Sequence, residues 1–189
     1  YFPNTRPTLY AATVYWYLAP GGKDPYPPVP VSERIGYWEP IQQYEVQGAI
    51  EGEKMKVLSC SGGGYEVQDL STFSDGNWSA DKHLWWKNPS IGDRITLEFA
   101  VQEEGTYELK VAMTRARDYG IFQLFVDGKK VGEPIDLYDP NVVPTGALSF
   151  KEHQLGQGKH TLSFELVGNN EKSIPNHMLG LDYILLVGQ

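Results

Sequence analysis

The chain has 189 residues, more than one β-sandwich of about 140 residues needs and too few for a large barrel enzyme. Acidic residues outnumber basic ones 24 to 16, and the formal charge of −8 disfavours phosphate backbones and anionic membranes, so nucleic acid is not an expected partner. The one cysteine, Cys60, allows no intramolecular disulfide and no Cys-rich zinc site, and no run of about 18 apolar residues offers a membrane span.

The chain opens Tyr1-Phe2-Pro3, which reads as a processed or excised piece of a longer protein whose export signal lies elsewhere. Residues 9–18, LYAATVYWYL, are rich in strand formers and predict one β-strand. Six prolines from Pro20 to Pro40 then deny the backbone the donors of a helix or central strand, giving an extended segment. Residues 1–46 are therefore expected to be the last strand and Pro-rich exit of a preceding domain, or a strap across the domain that follows, residues 47–189.

From Gln47 onward short strands alternate with turn signals. RITLEFAV puts Ile95, Leu97, Phe99 and Val101 on one face, EEGTY turns the chain, and YELKVAM puts Tyr107, Leu109, Val111 and Met113 on one face, which predicts a hairpin. GIFQLFVDGKKVGEPI carries the tight-turn pair Asp127-Gly128, and LSFKEHQL and HTLSFELVG follow. LGLDYILLVG is apolar on both faces and is expected at the centre of a sheet. Residues 61–92 show little strand character, and the Gly62–Gly64 run reads as a flexible loop. About eight strands without a helical period predict an all-β, antiparallel, two-sheet jelly-roll β-sandwich.

Motifs for self-contained catalysis are missing from the sequence: no GxSxG, HExxH, Walker or dinucleotide pattern occurs. His83, His153, His160 and His177 lack metal-ligand spacing and read as surface or turn residues. The acids Glu103, Glu104, Asp75, Asp81, Asp118, Asp136 and Asp139 read as solvated loop groups. Glu51 and Glu53 in AIEGEKM would share a face of an extended strand, offering hard oxygen donors suited to calcium, and Asp182 is a carboxylate inside an apolar run, where burial requires a partner or a metal. The bland alternative is an exposed pair of glutamates and an aspartate that accepts hydrogen bonds.

Aromatic residues form a second constellation. Tyr65, Trp78, Trp85 and Trp86 lie in the 61–92 stretch, Tyr119 and Tyr138 flank the central hairpin, and GNNEKSIPNH supplies Asn169, Asn170, Asn176 and His177. Sugars stack their C–H faces on rings and bond amides through their hydroxyls, so this set suits glycan binding. Of the neighbours Trp85 and Trp86, on opposite faces, one is expected in the core and one exposed.

Residues 48–189, through AIEGEKM, LWW, the long IGDRITLEF…GEPIDLY run, QGKHTLSFELVG and LGLDYILLVG, resemble the galactose-binding-like jelly-roll modules of carbohydrate-active enzymes, the calcium-containing carbohydrate-binding modules. The resemblance implies a structural calcium on Glu51, Glu53 and Asp182 and a ligand site in loops that use aromatics plus an asparagine before the last strand. The opening AATVYWYLAPGGKDPYPPVPVSER looks like the end of a bacterial family of β-jelly-roll glycoside hydrolases formerly known as a domain of unknown function.

Together these readings predict a non-catalytic carbohydrate-binding or accessory module of a larger, secreted or cell-surface glycoside hydrolase, with carbohydrate and the upstream catalytic domain as partners. A structural module packing between domains or against another copy is the alternative, and a hydrolase activity on this fold the third reading.

Overall fold

The computed structural model describes residues 20–23, 44–73 and 76–188. The chain divides into two units, Tyr1–Gln42 and Gln43–Gln189, and nearly all described residues belong to the second. The strand expected over residues 9–18 and most of the Pro-rich segment lie outside the described residues.

Eleven strands are described: β1 (Ile50–Glu51), β2 (Lys56–Cys60), β3 (Gly64–Asp69), β4 (Lys82–Lys87), β5 (Arg94–Val101), β6 (Gly105–Arg115), β7 (Ile121–Val126), β8 (Lys129–Asp136), β9 (Val143–Leu155), β10 (Gly158–Gly168) and β11 (Leu179–Gly188). They build two antiparallel sheets. One runs β3-β4-β11-β6-β9, with β1 also on β11, and the other runs β2-β5-β10-β7-β8. This is the all-β jelly-roll sandwich expected from the strand pattern.

The alternating apolar faces meet between the sheets. Ile95, Leu97 and Phe99 of β5, Leu162, Phe164 and Leu166 of β10, Phe122 and Leu124 of β7, and Leu109, Val111 and Met113 of β6 are all buried in one core. Each such side chain contributes about 1.5–3 kcal/mol on leaving water. β11 occupies the middle of its sheet, between β4 and β6, as a strand apolar on both faces should. The β7–β8 hairpin closes on Asp127 (φ 48°) and Gly128 (φ 74°), the left-handed pair of a type I′ turn.

Three expectations need correction. β5 and β6 do not pair: β5 lies between β2 and β10, and β6 between β11 and β9, so the chain crosses from one sheet to the other at residues 102–104. Alternation specifies which face is buried but not which sheet buries it, and two facing sheets produce the same pattern as a hairpin. The 61–92 stretch holds a regular hairpin, Gly64–Asp69 on Lys82–Lys87, hidden in the sequence because β3 is a polar edge strand. His83, expected on the surface, is fully buried.

Candidate functional site

Three carboxylates converge where β1 lies beside β11. Glu51 ends β1, and the chain then tightens into a 3-10 turn, Gly52–Lys54, that carries Glu53; the two are not on one extended strand as expected. Gly52 permits this turn, because a Cβ there would sit 2.3 Å from the Leu181 carbonyl of β11. Glu51 pairs across to Tyr183, next to Asp182. Ser79, in a second 3-10 turn (Ser79–Asp81), ties the group together: its N–H donates to Asp182 Oδ1 (3.1 Å), its hydroxyl donates to Glu51 Oε1 (2.7 Å) and accepts from the Val46 N–H (3.0 Å). Ala80 and Asp81 beside it are both left-handed, at φ 53° and 52°.

Electrostatically the group is unfinished. Glu51 Oε2 and Glu53 Oε2 are buried and without a hydrogen-bond partner. Burial, and then the fields of Glu51 and Glu53, push Asp182 up to about 8, and burial followed by Glu51 raises Glu53. A cavity of about 580 Å³, lined by residues 45–51 and Lys54, leads to Glu51. Oxygen-only donors with two orphaned lone-pair sites fit a hard divalent cation. As placed, however, no group of three or more His, Cys, Asp or Glu among the described residues is arranged to grip an ion.

The expected ring platform divides sharply. Trp86 is fully buried against Phe122, with its Nε1–H donating to the Gly62 carbonyl (2.9 Å). Trp78 is buried too and starts a polar chain: Nε1–H donates to Thr114 Oγ1 (2.9 Å), that hydroxyl donates to His83 Nδ1 (2.8 Å), and His83 Nε2–H donates to Gln68 Oε1 (2.7 Å). Burial holds His83 near pKa 3, so the ring stays neutral, as this chain requires. Tyr119 is buried, and its hydroxyl is pushed up chiefly by burial. These three rings present no face to a ligand, which corrects the expectation for them.

The remaining candidates lie nearer solvent. Trp85, expected to be exposed, is half-buried and packs against the core, with Lys87 Nζ 5.0 Å from its ring centroid and that ammonium bonded to Glu66 (2.9 Å). Tyr65 is 48% exposed on β3. Tyr138 is half-buried, its N–H donating to Asp136 Oδ1 (2.9 Å), and Asn170 Nδ2 donates to Asp136 Oδ2 (2.5 Å).

Asn176 lines a cleft of about 450 Å³ in which residues 88–91 face residues 175–177. His177 belongs to the polar loop singled out in the sequence, whereas Asn88, Ser90 and Ile91 were not picked out as ligand-binding residues; their visible trace is the short proline-bearing segment Asn88-Pro89-Ser90. His177 Nδ1–H donates across the cleft to the Pro89 carbonyl (3.3 Å). Asp93 braces the 88–91 wall, accepting from the Ser90 N–H (2.7 Å) and the Ser61 hydroxyl (2.9 Å). The Gly62–Gly64 run is not the loose loop expected: a Cβ on Gly62 would meet the Asp93 carboxylate at 2.1 Å, and one on Gly63 the Lys87 carbonyl at 2.2 Å.

No protein-family model matches the sequence, and no curated protein is similar to it. Solved structures are. A Paenibacillus xanthan lyase aligns with a TM-score of 0.66 at 20% identity, over 78% of this chain and 14% of the lyase. A Podospora anserina GH26-CBM35 β-(1,4)-mannanase aligns with a TM-score of 0.50 at 13% identity, over 75% of this chain and 27% of the mannanase. A family 35 carbohydrate-binding module from Clostridium thermocellum aligns with a TM-score of 0.49 at 15% identity, over 76% of this chain and 100% of the module. The chain spans a small part of the two enzymes, and at these identities the likeness is one of fold: a two-sheet jelly-roll β-sandwich.

Proposed function

We propose that residues 47–189 form a non-catalytic carbohydrate-binding module of a larger, secreted or cell-surface glycan-active protein. The observation that carries this reading is the cleft at the loop end of the sandwich, where amides, a hydroxyl and an imidazole surround apolar proline and isoleucine surfaces. That mixture fits a sugar's hydroxyl rim and C–H faces. No carboxylate lines the cleft, so its groups suit holding a ligand rather than hydrolysing it. Affinity electrophoresis and isothermal titration against a glycan panel test the reading. Asn176→Ala and Trp85→Ala are each expected to weaken binding, and absence of binding to every glycan defeats the reading.

Glu51, Glu53 and Asp182 would hold calcium, which supplies the positive charge that three buried carboxylates lack. Their part is structural: they join β1, the Gly52–Lys54 turn and β11 away from the cleft residues. A ligand bound only by the native state stabilises it, by about 2.7 kcal/mol at a hundredfold excess over Kd. Chelation is therefore expected to lower the melting temperature by several degrees, with Asp182→Asn insensitive to chelator. An unchanged melting curve together with no metal by elemental analysis would leave the carboxylates to hydrogen bonding alone.

A second reading, docking of another domain or copy, is favoured by Tyr65 and Val67, both about half exposed and on one face of edge strand β3. Light scattering of the chain and of Val67→Glu separates it: an oligomer dispersed by the substitution supports docking there.

A further inference from the structure

We infer that the cleft selects an uncharged, hydroxyl-rich glycan and disfavours carboxylated ones, an inference that rests on the carbohydrate-binding reading above. None of residues 88–91 and 175–177 is Asp, Glu, Lys or Arg. The polar groups are the Asn88 and Asn176 amides, the Ser90 hydroxyl and the His177 imidazole. The amides and the hydroxyl each donate and accept, which is the bonding capacity of a sugar hydroxyl. A carboxylate only accepts, and losing its water is costly unless a charged donor replaces it.

His177 illustrates the match. The Pro89 carbonyl can only accept, so Nδ1 donates to it, and Nε2 is the ring nitrogen left to meet a sugar hydroxyl. Asn88 (φ 53°) and His177 (φ 54°) face each other across the cleft and are two of the six left-handed non-glycine residues among the described residues. Backbone strain of this kind collects where a side chain must be aimed.

The surroundings add repulsion rather than attraction. Asp93 places a carboxylate behind the 88–91 wall. Lys87, next to Asn88 in sequence, has its ammonium committed to Glu66. Arg117 and Lys172 are exposed on neighbouring loops and line no part of the cleft. The chain carries a net charge of −8. A polyanion meets an unfavourable field and no buried cation to receive it.

The test uses matched polymers: polygalacturonate, alginate and glucuronoxylan, the carboxyl-reduced form of each, and neutral galactan and mannan. Affinity electrophoresis and titration of the whole chain are expected to show at least tenfold tighter binding to reduced or neutral polymers than to the carboxylated parents. That binding should not change between 0.05 and 0.5 M NaCl, and both Ser90→Ala and Asn176→Ala should weaken it. Asn176→Lys, checked for folding by circular dichroism, should shift preference toward the carboxylated forms. Equal or tighter, salt-sensitive binding to the carboxylated parents overturns the inference and leaves carbohydrate binding standing. Binding to none of the polymers overturns the reading beneath it, and neutral-glycan binding untouched by either alanine variant overturns the assignment to this cleft.

Discussion

Gly63 shows how one residue joins fold to site. Its φ of +69° and the Lys87 carbonyl 2.2 Å from any added Cβ mean that Gly63→Ala incurs left-handed strain and a backbone clash together. A loss of at least about 2 kcal/mol in denaturant unfolding is expected, with weaker glycan affinity, because the displaced Lys87 leads directly into Asn88. His160 sets a pH dependence. Its Nδ1 faces Asp127 Oδ2 (2.7 Å) and its Nε2 the Gly156 carbonyl (2.9 Å), so both nitrogens can be satisfied only by the protonated ring. The Asp127 hydrogen bond is the main cause that raises its pKa, and its field and the Gly156 carbonyl add to it. The folded pKa thus lies above the unfolded one: the stabilisation is complete below about pH 6.5 and disappears as pH rises through the folded value. For so exposed a pair it is worth under about 1 kcal/mol. His160→Gln should flatten stability between pH 6 and 9, and an NMR titration placing the His160 pKa below 6.5 would refute the assignment. Buried His83 works in the opposite sense, since the unfolded chain takes up a proton below about pH 6.5 that the native ring refuses down to about 3. Glu51, Glu53 and Asp182 were legible as candidates because hard donors and a charge in an apolar run are local signals, but the 3-10 turn that carries Glu53 was not. Ser79 was not, because its partners lie 28 and 103 residues away.

Among the elements, β4 gives two adjacent tryptophans unequal burial. Trp86 is fully buried in the core and Trp85 packs against it half-buried, so Trp86→Ala is expected to cost about 3–5 kcal/mol, whereas Trp85→Ala should cost less. Urea titration of the two variants checks the contrast, and equal losses would contradict it. The same strand marks where sequence reading stops. Adjacent tryptophans announce opposite faces, but which one turns inward is set by pairing to β3 and β11. β5 and β6 teach a similar lesson, since their alternation identified the buried residues correctly while the sheet assignment depended on partners far along the chain. Central β11 was readable from its own composition, as burial on both faces leaves no polar register.

At the scale of the molecule, the carboxylates lie at the junction of β1 with β11 and the cleft among loops 88–91 and 175–177, and the two share no lining residue. Calcium removal is accordingly expected to change melting before it changes glycan affinity at 25 °C, measured by titration of the chelated protein at that temperature. The position of β11 also governs how the sandwich comes into being. It is the last of the eleven strands in the order of synthesis, yet β1, β4 and β6 all hydrogen-bond to it. The β3–β4 hairpin and the β6–β9 pair are made earlier and have nothing to join them, so their apolar faces must wait for a strand separated from Glu51 by more than 120 residues. Closing so long a loop is slow. Assembly of this sheet should therefore wait until β11 has been made, with an interval in which half-built sheets present open edges to other chains.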